Sequence, residues 1–330
     1  MLYIKKYFLL IIIVILILLN LIPTSYVLVI PGQAYNLSEY ITVENGEKDA
    51  EGQLFLTSTA IINANLLLYL YGFIDPNIDL KNKDSETLLN LNQKSYIDIM
   101  DKLMQESQMI SKIVALRKAG YSPEISGGGI LINGILENCP AENKLLPGDV
   151  IIKIDEQFAY TLEELSKIIR NYNPNQIVKI TFLRNNATYS TSIPLIELPG
   201  TDDKTGIIGI GIYADTKDLQ CRFPLKIEIS LDKIKGPSAS LMIALEILNQ
   251  LTENDLTGSL LIAGTGNLSI DGRINEVDGI KQKIISAKKK KADLFLVPQK
   301  NYSEALKFSQ GIKIIPVDDF DDIIMTLIKL

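Results

Sequence analysis

Residues 257–287 read TGSLLIAGTGNLSIDGRINEVDGIKQKIISA and carry the strongest indication of the fold. The segment alternates as a strand, a turn and a second strand, and a helix then begins at about Gly279. Lys281 lies in the first turn of that helix, between Ile280 and an apolar face that contains Ile284 and Ile285. We expect this lysine to be partly desolvated near the positive end of the helix, and both effects favour a neutral amine.

A second informative segment, KGPSAS at residues 235–240, stands directly before the apolar run LMIALEILNQL. Gly236 permits a sharp turn, and Pro237 suits a first helical turn because its missing N–H costs nothing there. Ser238 is therefore predicted at or near a helix N-terminus, where free N–H groups can stabilise a developing oxyanion. The alternative interpretation is that Ser238 only caps a buried helix.

The 330-residue chain contains no histidine. This excludes Ser-His-Asp and Cys-His nucleophile arrangements and any zinc site that needs an imidazole, so a base must come from Lys, Asp, Glu or a terminus. A net charge of −6 argues against nucleic acid as a partner. Cys139 and Cys221 are too few for a disulfide framework. We expect neither a metal nor a cofactor.

Residues 126–197 predict a strand, a turn, a strand, a helix and two further strands. The pattern includes the loop GGGILINGIL, Leu146-Pro147-Gly148-Asp149 before VIIKID, and a capping box from Thr161 to Glu164. It resembles a PDZ domain of the bacterial, protease-associated type. That resemblance implies peptide binding by β-augmentation, in which Gly127, Gly128 and Gly129 either offer N–H groups to a peptide carboxylate or only form an entry loop.

GPSAS, followed 43 residues after Ser238 by Lys281 of DGIKQK, resembles the proteolytic domain of the Lon family over about residues 206–330. The resemblance implies a Ser-Lys dyad in which Ser238 is the nucleophile and Lys281 the general base. It also implies that Thr265 of AGTG orients the lysine, with Gly236 and Pro237 as supporting residues. The order of the domains is similar to that of membrane-anchored PDZ–Lon proteins of Gram-positive bacteria, as is the segment MQESQMISKIVALRKAGY.

Three positions depart from the Lon pattern. Lys235 stands where an acidic residue is common, Ser240 where glycine is usual, and Asn267 where many members have glutamate. No G-x-x-x-x-G-K-[ST] phosphate-binding loop occurs in these 330 residues, so the sequence predicts ATP-independent cleavage of accessible peptides or flexible segments.

The N-terminal segment from Tyr7 to Ile30 has no charged residue and follows Lys5 and Lys6. As one helix it would span about 36 Å, enough for a roughly 30 Å hydrocarbon core. This predicts a single transmembrane helix with a cytoplasmic N-terminus, the cell membrane as location and the bulk of the chain outside. Pro23 could shorten the helix, which leaves a cleaved signal peptide as the alternative.

Together these patterns predict an α+β multidomain protein: an anchor at 1–30, a lead-in segment with helices and a possible strand at 31–125, a PDZ domain at 126–197 and a Lon-type α/β proteolytic domain at 206–330. The predicted function is a membrane-anchored serine endopeptidase with PDZ-assisted substrate recognition. Its expected partners are a peptide or protein substrate and the lipid bilayer, and both a homo-oligomer and a monomer are compatible with the sequence. The competing prediction is a catalytically silent, membrane-tethered PDZ peptide-binding module.

Overall fold

The computed structural model describes residues 2–48, 51–83, 93–198, 207–232, 234–253 and 255–327. The chain divides into two compact units. The discontinuous unit joins Met1–Ser122 to Leu225–Leu330, and the inserted unit is the continuous segment Pro123–Pro224.

The helices and strands in chain order are as follows. The helices are α1 (Leu2–Leu21), α2 (Leu66–Ile74), α3 (Gln93–Lys118), α4 (Leu162–Ile169), α5 (Ser240–Leu251), α6 (Ile280–Lys289), α7 (Tyr302–Leu306) and α8 (Phe320–Leu327). The strands are β1 (Pro23–Asn36), β2 (Ile41–Val43), β3 (Gln53–Asn65), β4 (Asp79–Asn82), β5 (Glu124–Ser126), β6 (Ile130–Ile135), β7 (Val150–Ile154), β8 (Gln157–Phe158), β9 (Ile177–Arg184), β10 (Ala187–Pro194), β11 (Ile196–Leu198), β12 (Ile207–Gly209), β13 (Ile212–Thr216), β14 (Gln220–Arg222), β15 (Ile227–Ile229), β16 (Leu261–Gly264), β17 (Asn267–Leu268), β18 (Ile274–Asn275), β19 (Leu294–Pro298) and β20 (Lys313–Val317).

The discontinuous unit is built on a six-stranded mixed sheet in the order β20-β19-β16-β3-β1-β4. β16 pairs in parallel with β3 and with β19, whereas β1 and β3 form a long antiparallel pair. Half of these strands precede the inserted unit in sequence and half follow it. The predicted lead-in at 31–125 is therefore part of the same fold as the C-terminal region, because its strands complete the hydrogen-bonded ladder that β16 begins.

Helix α5 crosses the centre of the discontinuous unit and is buried from Ser240 to Gln250. A helix that is apolar on nearly all sides is expected in a core, which explains the run LMIALEILNQL. Helix α3 packs against its start: Ser111 Oγ donates a hydrogen bond to the Ser240 carbonyl at 2.8 Å, and Ser107 Oγ donates to the Pro237 carbonyl at 3.2 Å. Two side chains of the predicted lead-in thus hold the backbone on either side of Ser238.

The inserted unit contains a sheet in the order β10-β9-β7-β6-β13, with β8 paired to β7 and helix α4 packed over an aliphatic core. The predicted capping box is confirmed: Thr161 Oγ1 accepts from the Glu164 N–H, and the Glu164 carboxylate accepts from the Thr161 N–H. Asp149, which follows the Leu-Pro-Gly turn, is buried in a bidentate pair with Arg184 at 2.7 Å. Burial acts to raise the pKa of Asp149, but the Arg184 guanidinium and the Leu146 N–H together outweigh it, so the pKa is lowered.

The predicted transmembrane helix is wrong. Of the uncharged run from Tyr7 to Ile30, only the part to Leu21 is helical, because the chain enters strand β1 at Pro23. Proline cannot continue a helix interior, and β1 instead forms ladder hydrogen bonds with β3 and β4. Within the described residues, no helix has both the length and the apolar character needed to cross a bilayer. The location inferred from that span stays a prediction of the sequence alone.

Candidate active site

A cleft of about 600 Å³ in the discontinuous unit, hereafter the serine cleft, contains Ser238. Its walls come from β1 and β3, from the first turns of α3, and from the segment that leads into α5. Helix α6 contributes Lys283. Strands and helices distant in sequence therefore bring a hydroxyl and an amine to one concave surface, the arrangement expected of a catalytic site.

Ser238 lies in the single 3₁₀ turn Pro237–Ala239 that leads into α5, as the sequence predicted, and is half-buried. Gly236 precedes the turn with φ 95° and ψ 164°, a backbone conformation that side-chain-bearing residues rarely adopt. The Gly236 N–H donates to the Met100 carbonyl of α3 at 3.1 Å, which fixes the entry to the turn. The first N–H groups of such a turn have no partner within the helix and are available to an oxyanion.

Lys283 is the buried amine of the serine cleft, with 3% of the residue exposed. Desolvation lowers the pKa of Lys283 to about 8, and the nearby carboxylates of Asp278 and Glu304 act in the opposite direction. Lys283 Nζ donates a hydrogen bond to Thr265 Oγ1 at 3.0 Å, and Thr265 Oγ1 donates to the Ser238 carbonyl at 3.1 Å. A single buried threonine therefore links the amine to the residue that carries the hydroxyl.

Lys281 occupies a different environment. Its Nζ forms an ion pair with Asp79 Oδ1 at 2.6 Å, and the lysine is not among the described residues that line the serine cleft. Side chains two positions apart on an α-helix point in nearly opposite directions, so Lys281 and Lys283 cannot share one face. The structure brings Ser238, Thr265 and Lys283 together and does not bring Lys281 to them.

The prediction of Lys281 rested on its place in the first turn, beside Ile280 and an apolar face, and on the 43-residue spacing from Ser238. Six residues of α6 are buried, and four of them, Ile280, Lys283, Ile284 and Ala287, form a stripe with three- and four-residue intervals; the other two are Gln282 and Ser286. A lysine inside an apolar stripe of that kind must be desolvated, whereas Lys281 lies outside the stripe. Helical periodicity, applied to the two lysines of DGIKQK, would have placed Lys283 rather than Lys281 on the buried face.

The glycines of residues 127–129 make backbone hydrogen bonds and close contacts within the inserted unit. The Gly128 N–H donates to the Lys217 carbonyl at 2.7 Å and the Gly129 N–H to the Tyr160 carbonyl at 3.0 Å. A Cβ on Gly127 would lie 2.4 Å from the Tyr160 carbonyl oxygen, so this position needs glycine for close packing. Because β6 already has β7 and β13 on its two sides, the edge strands of this sheet are β10 and β13. The geometry favours the entry-loop interpretation over carboxylate binding.

Comparison with known proteins decides what the two units contain. The family model of the Lon protease (S16) C-terminal proteolytic domain matches residues 230–329, and the model of the PDZ domain matches residues 106–195. The chain contains a Lon-type proteolytic domain and a PDZ domain. The Lon match includes Ser238, Thr265 and Lys283, and the compact unit around it also contains residues 1–122.

Curated relatives of the Lon-type domain are much longer than this chain. A Lon protease of Campylobacter concisus is 24% identical over 259 residues, which are 74% of this chain and 29% of the relative. An archaeal Lon protease of Methanocaldococcus jannaschii is 31% identical over 101 residues, 31% of this chain and 15% of the relative. Among solved structures, the chain is similar to the crystal structure of the PDZ domain of an SdrC-like protein from Listeria monocytogenes. The sequence identity is 25%, the match covers 28% of this chain and 92% of the Listeria chain, and the TM-score is 0.25.

Two of the residues that depart from the Lon pattern have clear structural partners. Ser240 is buried; its Oγ accepts from the Leu268 N–H at 2.7 Å and donates toward the Pro237 carbonyl at 3.0 Å. Lys235 lies at the rim of the serine cleft and pairs with Asp101 of α3. The charge at position 235 is therefore balanced by a carboxylate from the neighbouring helix. Among the described residues, no group of three or more carboxylates and cysteines is placed to hold a metal ion.

Proposed function

We propose that this chain is a serine endopeptidase in which Ser238 is the nucleophile and Lys283 the general base. The observation that carries the proposal is the buried Lys283 amine, which shares the serine cleft with Ser238 and is joined to it through Thr265. A pKa of about 8 leaves a useful fraction of this amine neutral near pH 7, as a general base requires. The Lon-type domain supports the same reaction class.

The proposed reaction is acyl transfer in two steps. Neutral Lys283 takes the proton of Ser238 Oγ as that oxygen bonds to the scissile carbonyl carbon, and backbone N–H groups at the start of the Ser238 turn stabilise the oxyanion. The ammonium of Lys283 then returns the proton to the leaving amine as the peptide C–N bond breaks. Water, deprotonated by the same amine, hydrolyses the acyl-enzyme and regenerates Ser238.

The serine cleft suits an extended polypeptide with an apolar side chain near the scissile bond. Tyr35, Ile97, Met100 and Ile234 form apolar lining, and Gln33 and Asn63 add polar groups. We infer that the PDZ domain assists recognition of the same substrates, with a peptide added at the edge strand β13 rather than at the glycine loop. Activity without ATP follows from the sequence prediction and is tested by running the assay with and without the nucleotide.

A matched pair of variants tests the function. Ser238→Ala and Lys283→Met should each abolish cleavage of an unstructured protein such as casein, while Lys281→Met should retain it. A fluorophosphonate probe should label the purified chain at Ser238 only. A silent PDZ module would show neither labelling nor cleavage, and that result would contradict the proposal.

A further inference from the structure

A second concave site, hereafter the acidic pocket, has a volume of about 360 Å³. It is formed by β1, β4, the loop before α6, α6 itself and the segment of α7. Four carboxylates line it: Asp79, Glu276, Asp278 and Glu304. Three lysines are close to them: Lys81, which also lines the pocket, Lys281, which is paired with Asp79, and Lys283, which interacts with Asp278 and Glu304. The pocket is therefore net negative.

Gln282, which lines the acidic pocket, carries an unused acceptor. The residue is 0% exposed and lines the acidic pocket, yet Gln282 Oε1 has no hydrogen-bond partner among the described residues. The other end of the amide is fixed, because Nε2 donates to Asp79 Oδ2 at 2.7 Å and faces the Asn77 carbonyl at 3.5 Å. Exchanging the two amide atoms would set an oxygen against a carboxylate, so Oε1 must remain the acceptor. A buried acceptor without a donor is costly, and a ligand that donates would remove that cost.

The chemistry of the pocket selects an organic cation that carries N–H donors. Carboxylates with an amide oxygen match an ammonium or guanidinium group, and a guanidinium can donate to several acceptors at once. A bound metal ion fits less well, because the described carboxylates and cysteines form no group of three able to ligate one.

The acidic pocket adjoins the serine cleft. Val27 lines the cleft, and Val29, the next residue on the same face of β1, lines the pocket. Gly279 of the pocket also touches Thr59 of the cleft so closely that a Cβ on Gly279 would lie 2.6 Å from Thr59 Cγ2. An extended peptide advances about 3.3 Å per residue, so a chain in the cleft reaches the pocket within a few residues.

We propose that the acidic pocket binds the guanidinium or ammonium group of a basic residue in the polypeptide substrate, a few positions from the scissile bond. This inference rests on the proposed peptidase function and names a substrate class for it. Electrostatics add a consequence: the carboxylates of Asp278 and Glu304 raise the pKa of Lys283, so a cation that neutralises them should release more of the neutral base. The other charged groups around this part of α6 are Asp79, Glu276, Lys81 and Lys281.

Binding is tested apart from catalysis in the Ser238→Ala chain. A series of otherwise neutral fluorescent peptides is prepared, each with a single arginine at a different position. The affinity of each is compared with that of the same peptide in which citrulline, which has the same shape without the charge, replaces arginine. At one or two positions the arginine peptide should bind about tenfold more tightly. Glu276→Gln and Gln282→Met should each reduce that preference at least threefold, and Glu253→Gln, an exposed acid outside the pocket, should leave it unchanged. Equal affinity of arginine and citrulline peptides at every position would overturn the inference.

Two further readouts keep the outcomes separate. Ethylguanidinium, titrated into the wild-type chain, should shift the side-chain NH₂ resonances of Gln282 in an NMR spectrum, and no shift at millimolar concentration would count against the pocket. Turnover of the citrulline peptide by the wild-type chain reports on the peptidase itself. Cleavage without an arginine preference would contradict only the proposed role of the acidic pocket. An arginine preference in binding without any cleavage would contradict only the proposed peptidase function.

Discussion

The two sides of helix α6 place neighbouring lysines of one motif in contrasting surroundings. On the buried side, Lys283 lies within an apolar stripe, and its single described hydrogen bond is to the Thr265 hydroxyl. On the other side, Lys281 meets the Asp79 carboxylate. An ammonium beside a carboxylate is strongly stabilised, whereas the single hydrogen bond from Lys283 to a hydroxyl does not offset the desolvation of its ammonium. The contrast shows that two lysines of one motif can differ in burial and in hydrogen-bond partner, a difference that the spacing from the serine does not reveal.

The largest expected effect separates the two lysines by activity. Lys283→Met should lower kcat/KM for an unstructured substrate by about 10³-fold, within the range attributed to a general base. Lys281→Met should lower it less than threefold, because the ion pair with Asp79 lies outside the serine cleft. Both values come from progress curves with purified protein.

The same pair of variants needs a folding control, since a buried lysine contributes to packing. Matching circular dichroism spectra and cooperative urea unfolding of both variants would show that the comparison concerns chemistry. If Lys281→Met were the inactive variant and Lys283→Met the active one, the assignment of the base to Lys283 would be refuted.

The second prediction concerns stability. Burial lowers the pKa of Lys283 from 10.5 to about 8 in the folded chain, so below pH 8 folding must bury an ammonium at a cost of about 3 kcal/mol. Lys283→Met should therefore increase the free energy of unfolding at pH 7, by up to that amount. Between pH 8 and 10.5 the unfolded wild-type chain holds a proton that the folded chain has lost, so wild-type stability should rise with pH.

Urea denaturation of wild type and Lys283→Met at pH 7 and at pH 9.5 measures this difference. The gap should shrink at the higher pH, while Lys281→Met should show no comparable change. A gap that is independent of pH would mean that the lysine is not desolvated as the structure indicates.

Much of the local structure around these lysines could be predicted from the sequence, but its assembly could not. The turn at Gly236-Pro237-Ser238, the helix from about Gly279 and the capping box at Thr161 depend on neighbouring residues and were predicted correctly. The pairing of β16 with β3 joins residues about 200 positions apart, and no local pattern encodes it. The transmembrane prediction for the apolar run after Tyr7 was wrong for a related reason. The part of the run from Pro23 onward forms strand β1 of that sheet.

The site was predictable in its chemistry and less so in its geometry. The absence of histidine favoured an amine as the base. The resemblance to the Lon family indicated Ser238 and Thr265 as site residues, and the structure places them beside one another. Choosing between Lys281 and Lys283 required knowing which side of α6 faces the core. The sequence left two interpretations of the loop at Gly127–Gly129 open, because it does not show that the Gly128 and Gly129 N–H groups bond to the distant Lys217 and Tyr160.

The third prediction concerns the pH dependence of kcat/KM, which should reflect the titration of the buried Lys283 amine. Because neutral Lys283 is the active form, kcat/KM should rise about tenfold between pH 7 and pH 9, with a midpoint near the pKa of about 8. The chain has no histidine that could titrate in that interval. Lys281→Met should keep the same midpoint. A profile that falls between pH 7 and pH 9 would contradict a lysine base at this site.

The smallest effect concerns Thr265, which is hydrogen-bonded both to Lys283 and to Ser238. Thr265→Val keeps the buried shape but removes the acceptor of Lys283 Nζ and the donor to the Ser238 carbonyl, so kcat should fall about fivefold to tenfold. The midpoint of the pH profile should move to lower pH, because a charged Lys283 would lose its only described hydrogen bond. Thr265→Ser retains the hydroxyl and should restore both kcat and the midpoint. If valine changed kcat without moving the midpoint, Thr265 would act through packing alone, and the hydrogen-bonded link from Lys283 to Ser238 would lose its role.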